Sequence, residues 1–328
     1  MIHINILDKK NVLLEVAVQD RKISSSKLTL LWKHMVTHKW LYILLLPGML
    51  HLFIFHYIPM YGVSIAFKDF DIVKGIGASP WVGFENFITV FGSKDFIKVL
   101  RNSVLISVYR IIWGFPAPII LALMLNEVKS NYYKKTLQTI VYLPHFISWV
   151  VLAGIISNFL SPSTGVVNHV IVMLGGQPIA FLQKQEWFRS VLIFSDMWKE
   201  AGWGTIIYLA AITSIDASMY EAAYIDGASR LQQIRYITLP SIAGTIIVLL
   251  TLKVGALLKN GFEQIFMLYN PLVYDVADVF ETYSYRVGIQ GGMFSYGTAV
   301  GLFQSVVGLI LIYSTNKLAK KFENGSLW

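Results

Sequence analysis

The chain has 328 residues, 55% hydrophobic and 14% charged, with a formal net charge of +8 and no cysteine. Together with a mean hydropathy of +0.58, that mix lies outside a soluble globular domain and fits a polytopic membrane protein. The lack of cysteine excludes structural disulfides, iron–sulfur clusters and cysteine-ligated zinc. The cations sit in short segments beside apolar runs, which is the pattern of membrane topology and not of a nucleic-acid-binding face.

Residues 1–39 are polar and basic. They lack the charged start, compact apolar block and small-residue cleavage site of a signal peptide, and read as a cytoplasmic tail. Crossing the bilayer by helix takes about 20 mostly apolar residues at ~1.5 Å each. Six segments qualify: residues 40–67, 103–125, 139–160, 187–212, 240–258 and 296–313. The fold class expected is all-α, with six transmembrane helices over residues 40–316 and a C-terminal tail at 317–328. Pro47 and Pro59 are places where the first span kinks or ends in a non-helical turn.

Orientation follows from Lys and Arg near the span ends. The N-terminal cluster, Lys129, Lys134, Lys135, Arg230, Arg235, Lys317, Lys320 and Lys321 fall on one side, which is therefore read as cytoplasmic with both termini. The opposite side carries more acidic groups, among them Asp275, Asp278 and Glu281, read as a docking patch for an external protein.

Residues 214–240 lie between the fourth and fifth spans and are too polar for the bilayer. Ser218 followed by Glu221 predicts a capping box and a helix starting near Met219. Gly227 supplies a permissive turn. A second amphipathic piece follows, with Leu231, Ile234, Ile237 and Leu239 apolar, and Pro240 placed to open the fifth span. The pattern describes a short helix–turn–helix with a face free for a cytoplasmic partner; by pattern alone a plain connecting loop fits equally well.

The run Glu221-Ala222-Ala223, then Asp226-Gly227-Ala228, then Leu239-Pro240 resembles the EAA coupling loop of bacterial ABC importer permeases, the MetI-like, type I class. Many relatives have a proline ahead of the tyrosine, where this chain has Asp216, Ala217 and Ser218. The resemblance extends over most of the chain from residue 40. WVGFENF at 81–87, Tyr142-Leu143-Pro144, NPLVYDVADVFETYSYRVG at 270–288 and SYGTAVGLFQSVVG at 295–308 are similar to the sugar branch that handles complex oligosaccharides, such as alginate and pectin fragments. What the resemblance implies is a permease subunit paired with a homologous second permease, two copies of a sugar-type ATPase and an extracellular or periplasmic binding protein, in a bacterial inner membrane. The coupling residues implied are Glu221, Ala222, Ala223, Asp226, Gly227, Ala228, Leu239 and Pro240. ATP and magnesium would sit on the partner, because this chain has no Walker phosphate loop and needs no cofactor of its own.

Charged groups inside spans are costly unless they face protein or a wet cavity. Counting from the cytoplasmic ends places Arg110, Asp196, Lys199, Glu200 and Lys253 ~19 to 24 Å up their spans. Trp113, Trp198, Trp203 and, lower, Tyr208 share that zone. Aromatic faces beside hydrogen-bonding groups suit sugars, so these residues are candidate pathway groups, with Glu200 and Lys253 foremost. Interfacial belts and snorkelling are the competing reading for each. The cations exceed the carboxylates in this set, which favours an acidic, uronate-containing oligosaccharide. The seven histidines are scattered and show no metal-ligand spacing. A membrane-embedded enzyme lacks the paired carboxylates or histidines it needs. An ion-coupled secondary transporter leaves the coupling loop unexplained, and an amino-acid or anion permease fits the loop without the sugar-type segments.

Overall fold

The computed structural model describes residue 29 and residues 32–321. Most of the predicted N-terminal tail, and residues 322–328 of the predicted C-terminal tail, lie outside the described residues. Within them the regular structure is helical, with one isolated bridge, Lys68 to Trp81. Residues up to Val63 and those from Ser64 form two compact units.

The first apolar segment is helix α1, Lys39–Leu52, continued by a π-helical turn at Phe53–Tyr57 and a 3-10 stretch at Ile58–Phe67. The whole forms a helix of 29 residues. Pro47 is accommodated inside α1, while the irregular winding falls around Pro59, whose ring nitrogen has no hydrogen to donate one turn back.

In the second unit, α2 at Lys94–Tyr109 starts at Ser93, whose hydroxyl accepts from the Asp95 amide at 3.2 Å. It runs through a π-helical turn, Arg110–Gly114, into α3 at Pro116–Glu127, making one helix of 34 residues. Pro116 and Pro118 leave the carbonyls one turn back without donors, and the winding loosens there.

The third predicted span, 139–160, is not one helix. Helix α4, Asn131–Tyr142, passes through a 3-10 turn at Leu143–Phe146 and stops; α5, Trp149–Phe159, leaves at 101° to it. Pro144 opens the 3-10 turn, and the Ser148 hydroxyl caps the new helix by accepting from the Val151 amide at 3.4 Å. The mostly apolar composition of residues 139–160, long enough to read as one span, hid this break.

Helix α6, Gln185–Thr213, has 29 residues, or ~43 Å of axis, and organises the unit. Its Phe188, Leu192 and Ile193 pack with Ile106 and Ile265; further along, Tyr208, Leu209 and Ile212 pack with Ala122 and Ile242. Gly202 lies so close to the Val141 backbone carbonyl that any Cβ would overlap it. The Thr205 hydroxyl donates to Ala201 O at 2.7 Å and to Pro118 O at 3.2 Å. Small residues here let α3, α4 and α6 approach where lipid offers no hydrophobic driving force between helices.

Helix α7, Ala217–Ile225, is followed by helical turns at Arg230–Gln233, Ile234–Thr238 and Leu239–Ser241. The fifth span, α8 at Ala243–Gly255, then turns by 62°, so it starts after a bend and not directly behind Pro240. A short α9, Phe262–Leu268, precedes the last helix, α10, Phe294–Lys321. Gly255 of α8 lies against the Ile312 side chain of α10, where a Cβ would collide.

Candidate functional site: a coupling helix and a charged helix break

The segment 214–240 folds as a helix–turn–helix, with one correction to its start. Ser218 and Glu221 do not form the capping box. Asp216 begins α7 instead, its carboxylate accepting from the Ser218 amide at 2.9 Å. A carboxylate at the N-cap also opposes the positive end of the helix, so it captures the start ahead of the serine. That same hydrogen bond holds the Asp216 carboxyl below its ordinary pKa. At the other end Gly227 has φ 77°. Its amide donates to Tyr224 O at 3.1 Å and the Ala228 amide to Ala223 O at 2.9 Å, the paired bonds of a Schellman cap. The reciprocal capping box lies instead at Ser229 and Gln232.

The two limbs are clasped by the Tyr220 and Thr238 hydroxyls, 2.9 Å apart, and Arg230 reaches Glu127 at the end of α3 (3.8 Å). Helix α7 buries none of its own residues. Glu221, Ala222, Asp226 and Gly227 are exposed, Ala223 and Ala228 half-buried, and Tyr224 and Ile225 are 76% and 83% exposed. A well-capped helix showing apolar side chains outward is a surface built to be covered.

The charged groups of the spans divide into two sets. Lys199 is buried, and its Nζ donates to His145 O at 2.5 Å and Ile147 O at 2.9 Å, with Pro144 O at 3.5 Å. These carbonyls belong to the break between α4 and α5; the Ile147 amide donates to Pro144 O at 3.2 Å, while Lys199 serves His145 O and Ile147 O. The ammonium also lies 5.6 Å from the centre of the Trp149 ring. Arg110 is buried too: it donates to Gln264 Oε1 and lies 3.6 Å from Asp196. Gln264 in turn donates to Leu192 O and to the Ser195 hydroxyl, both at 2.8 Å. Arg110, Asp196 and Lys199 therefore tie helices together.

Glu200 and Lys253 remain accessible. Glu200 Oε2 lies 2.9 Å from His145 Nδ1, and Oε1 lies 3.8 Å from Lys199 Nζ. The His145 ring stacks on Trp203, 4.5 Å between centres and 5° from parallel. Lys253 is exposed and has no ion pair among the described residues. Trp113, Trp198 and Trp203 are each about half exposed, at 58%, 53% and 45%. Tyr208 sits in the core beside Ala122 and Ile242, so it faces protein and not a wet wall. His145 was missing from the sequence-based set; its one cue is its place after Pro144.

The acidic group of loop 259–293 is likewise mostly structural. Asp278 is buried, bonded to Arg286 and to the Thr282 hydroxyl (2.7 Å), and burial pushes its carboxyl pKa up. Glu281 accepts from the Asn260 amide at 3.0 Å and is also shifted up by burial. Asp275 is exposed and pairs with Lys98 at 3.0 Å. A docking patch made of all three is thereby corrected: burial withdraws Asp278 and Glu281, leaving Asp275.

An all-helical membrane bundle that leaves a capped helix uncovered between two spans fits the membrane component of a larger transporter. The chain belongs to the family described as "Binding-protein-dependent transport system inner membrane component", whose model matches residues 114–324. It is a permease subunit, not an enzyme, and an inner-membrane protein. Among curated proteins it is 49% identical to Protein LplB of Bacillus subtilis (strain 168) over 290 residues, 88% of this chain and 91% of that one. It is 46% identical to the polygalacturonan/rhamnogalacturonan transport system permease protein YteP of the same organism, over 90% of this chain and 92% of that one. Among solved structures, a bacterial ABC transporter involved in import of the acidic polysaccharide alginate matches at TM-score 0.82 and 47% identity, covering 89% of this chain and 98% of that one. The bacterial alginate transporter in complex with an alginate pentasaccharide-bound periplasmic protein matches at TM-score 0.83 and 45% identity, covering 90% and 99%.

Proposed function

We propose that this chain is the permease subunit of an ABC importer for uronate-containing oligosaccharides delivered by an external binding protein. It pairs with a homologous permease and with two copies of an ATPase that binds ATP and magnesium. Both termini and the segment 214–240 face the cytoplasm in this reading, which the distribution of Lys and Arg supports. Helix α7 enters the ATPase, burying Tyr224 and Ile225, and Gly227 sets the angle of entry. The accessible groups Glu200, His145, Trp203 and Lys253 line the pathway on this chain.

One observation carries the substrate class: proteins named for polygalacturonan and for alginate, both polymers of uronic acids, align over about nine-tenths of the chain. Lys253, an unpaired cation on a span, supports it, since it offers a substrate carboxylate a charge-assisted hydrogen bond. The test uses the assembled transporter in liposomes with saturating loaded binding protein. Uptake of trigalacturonate is expected, with Lys253→Met lowering it more than it lowers uptake of a methyl-esterified, neutral trimer. Uptake confined to neutral sugars refutes the substrate class; equal loss for both substrates removes Lys253 from the pathway.

A further inference from the structure

A polar cavity, apart from Glu200 and Lys253, lies between α2 and the first turns of α6. It has a volume of about 300 Å³, and its lining includes Tyr109, Trp113, Glu186, Arg189, Ser190 and Phe194. That volume sits at the small end of ligand pockets and suits one sugar unit. The lining combines three aromatic and four polar residues with Ile193, unlike the apolar groove on the neighbouring face of α6, which is lined by Leu152, Ile156, Phe159 and Trp187 among others.

Arg189 is the unusual member. Its Nε donates to Val276 O at 3.1 Å and one terminal nitrogen, Nη2, to Asn102 Oδ1 at 2.8 Å, so the guanidinium plane is fixed on two sides by neutral acceptors. Neither partner carries charge, and among the described residues no carboxylate lies within ion-pair distance of Arg189. Glu186 shares the cavity wall without pairing. The other buried or half-buried arginines differ: Arg110 has Asp196, and Arg286 has Asp278. A half-buried, immobilised cation without a counter-ion, next to exposed indole and phenol rings, leaves a guanidinium edge open to an anion.

We infer that this cavity is a shallow subsite for a single uronate unit, in which Arg189 meets the carboxylate and Trp113 or Tyr109 stacks on the C–H face of the sugar ring. The site rests on the proposed uronate import. Arg189 lies four residues into α6, or ~6 Å from the end of that helix, well above Glu200, so the subsite is the first point on this chain that a released oligosaccharide meets. Glu186 on the rim accepts from sugar hydroxyls, and its charge keeps the site from holding an anion too tightly to pass it on.

The test measures binding of radiolabelled trigalacturonate to the full transporter in nanodiscs, without binding protein, next to uptake by the same preparations. Two variants are compared: Arg189→Gln removes the cation, and Ser190→Phe fills the cavity while leaving both Arg189 hydrogen bonds in place. Each is expected to weaken binding about tenfold, equivalent to ~1.4 kcal/mol, with methyl-esterified trimer binding weakened by Ser190→Phe but not by Arg189→Gln. If the wild type imports trigalacturonate and both variants bind it as tightly as wild type, the subsite is refuted while the import function stands. If the wild type imports none, the function itself falls and the subsite with it. A phospholipid phosphate is the other anion of suitable chemistry. Should the variants differ from wild type only in nanodiscs containing phosphatidylglycerol, the cavity is a lipid headgroup site and the inference is overturned.

Discussion

Replacing Lys199 by methionine separates two meanings of a charge in a membrane span. The ammonium is the donor for His145 O and Ile147 O at 2.5 and 2.9 Å, in the 101° break between α4 and α5. Losing a donor to a buried acceptor costs about 1–3 kcal/mol per group. Methionine keeps the length and apolar stem, so packing against Trp149 changes little. The desolvation cost of the buried charge disappears in the variant, which offsets part of the loss. For two carbonyls the net expectation is a loss of ~2–4 kcal/mol, which lowers the thermal midpoint of the purified protein in detergent by about 5 °C or more. Lys199→Arg, which keeps the charge, should recover part of it. In transport, Lys199→Met is expected to reduce uptake of acidic and neutral oligosaccharides alike, in proportion to folded protein. An unchanged melting midpoint together with a selective loss of acidic uptake would refute this reasoning and return Lys199 to the substrate pathway.

Two further outcomes follow from other parts of the structure. Gly227→Val forces a β-branched residue into φ 77°; membrane insertion should persist while ATP hydrolysis uncouples from uptake in proteoliposomes, and fully coupled transport would contradict the docking of α7. Burial raises the carboxyl pKa of Asp278 and Glu281 in the fold, so each takes up a proton on folding: its contribution is fully present below the unfolded pKa and is lost as pH rises through the folded one. The melting midpoint should therefore fall as pH rises from about 4, the ordinary carboxylate value, with a shallower fall in Glu281→Gln; identical slopes would show that Glu281 does not contribute to the fall.

Much of the membrane architecture was legible because length and apolarity mark most spans; among the described residues three helices meet that test, or five if each bent pair is one span, and α6, read as the fourth span, does not. The coupling segment was legible for a different reason: Gly227 and Pro240 constrain the backbone locally, and the turn formed at Gly227 as read. The errors were those of competition between nearby candidates. Asp216 and Ser218 are both good caps, and only the three-dimensional start of α7 decides that the carboxylate wins. The break at residues 146–149 was readable in part, since Pro144 and Ser148 mark a stop and a start. Their signal was outweighed by an apolar run that satisfies the length rule regardless of direction.

The charged residues of the spans show where sequence reasoning stops and why. Depth along a helix is countable from sequence, and of the five groups counted to similar depth the structure pairs Arg110 with Asp196 and Lys199 with Glu200. Which way each points depends on what stands opposite, and that is a long-range fact. Lys199 and Glu200 are adjacent in sequence, yet successive positions on a helix are about 100° apart. One turns into the carbonyls of the break and is buried, while the other faces His145 and stays accessible. The pair is coupled all the same, because Lys199 holds the backbone of His145 and Glu200 holds its ring. A substrate reaching Glu200 or the Trp203–His145 stack therefore presses on the residues that fix the α4–α5 elbow. Helix α6 carries this contact at its middle and ends at Thr213, three residues ahead of the Asp216 cap that starts α7. Helix α6 thus links the elbow to the coupling helix, with only residues 214–216 between its end and the start of α7.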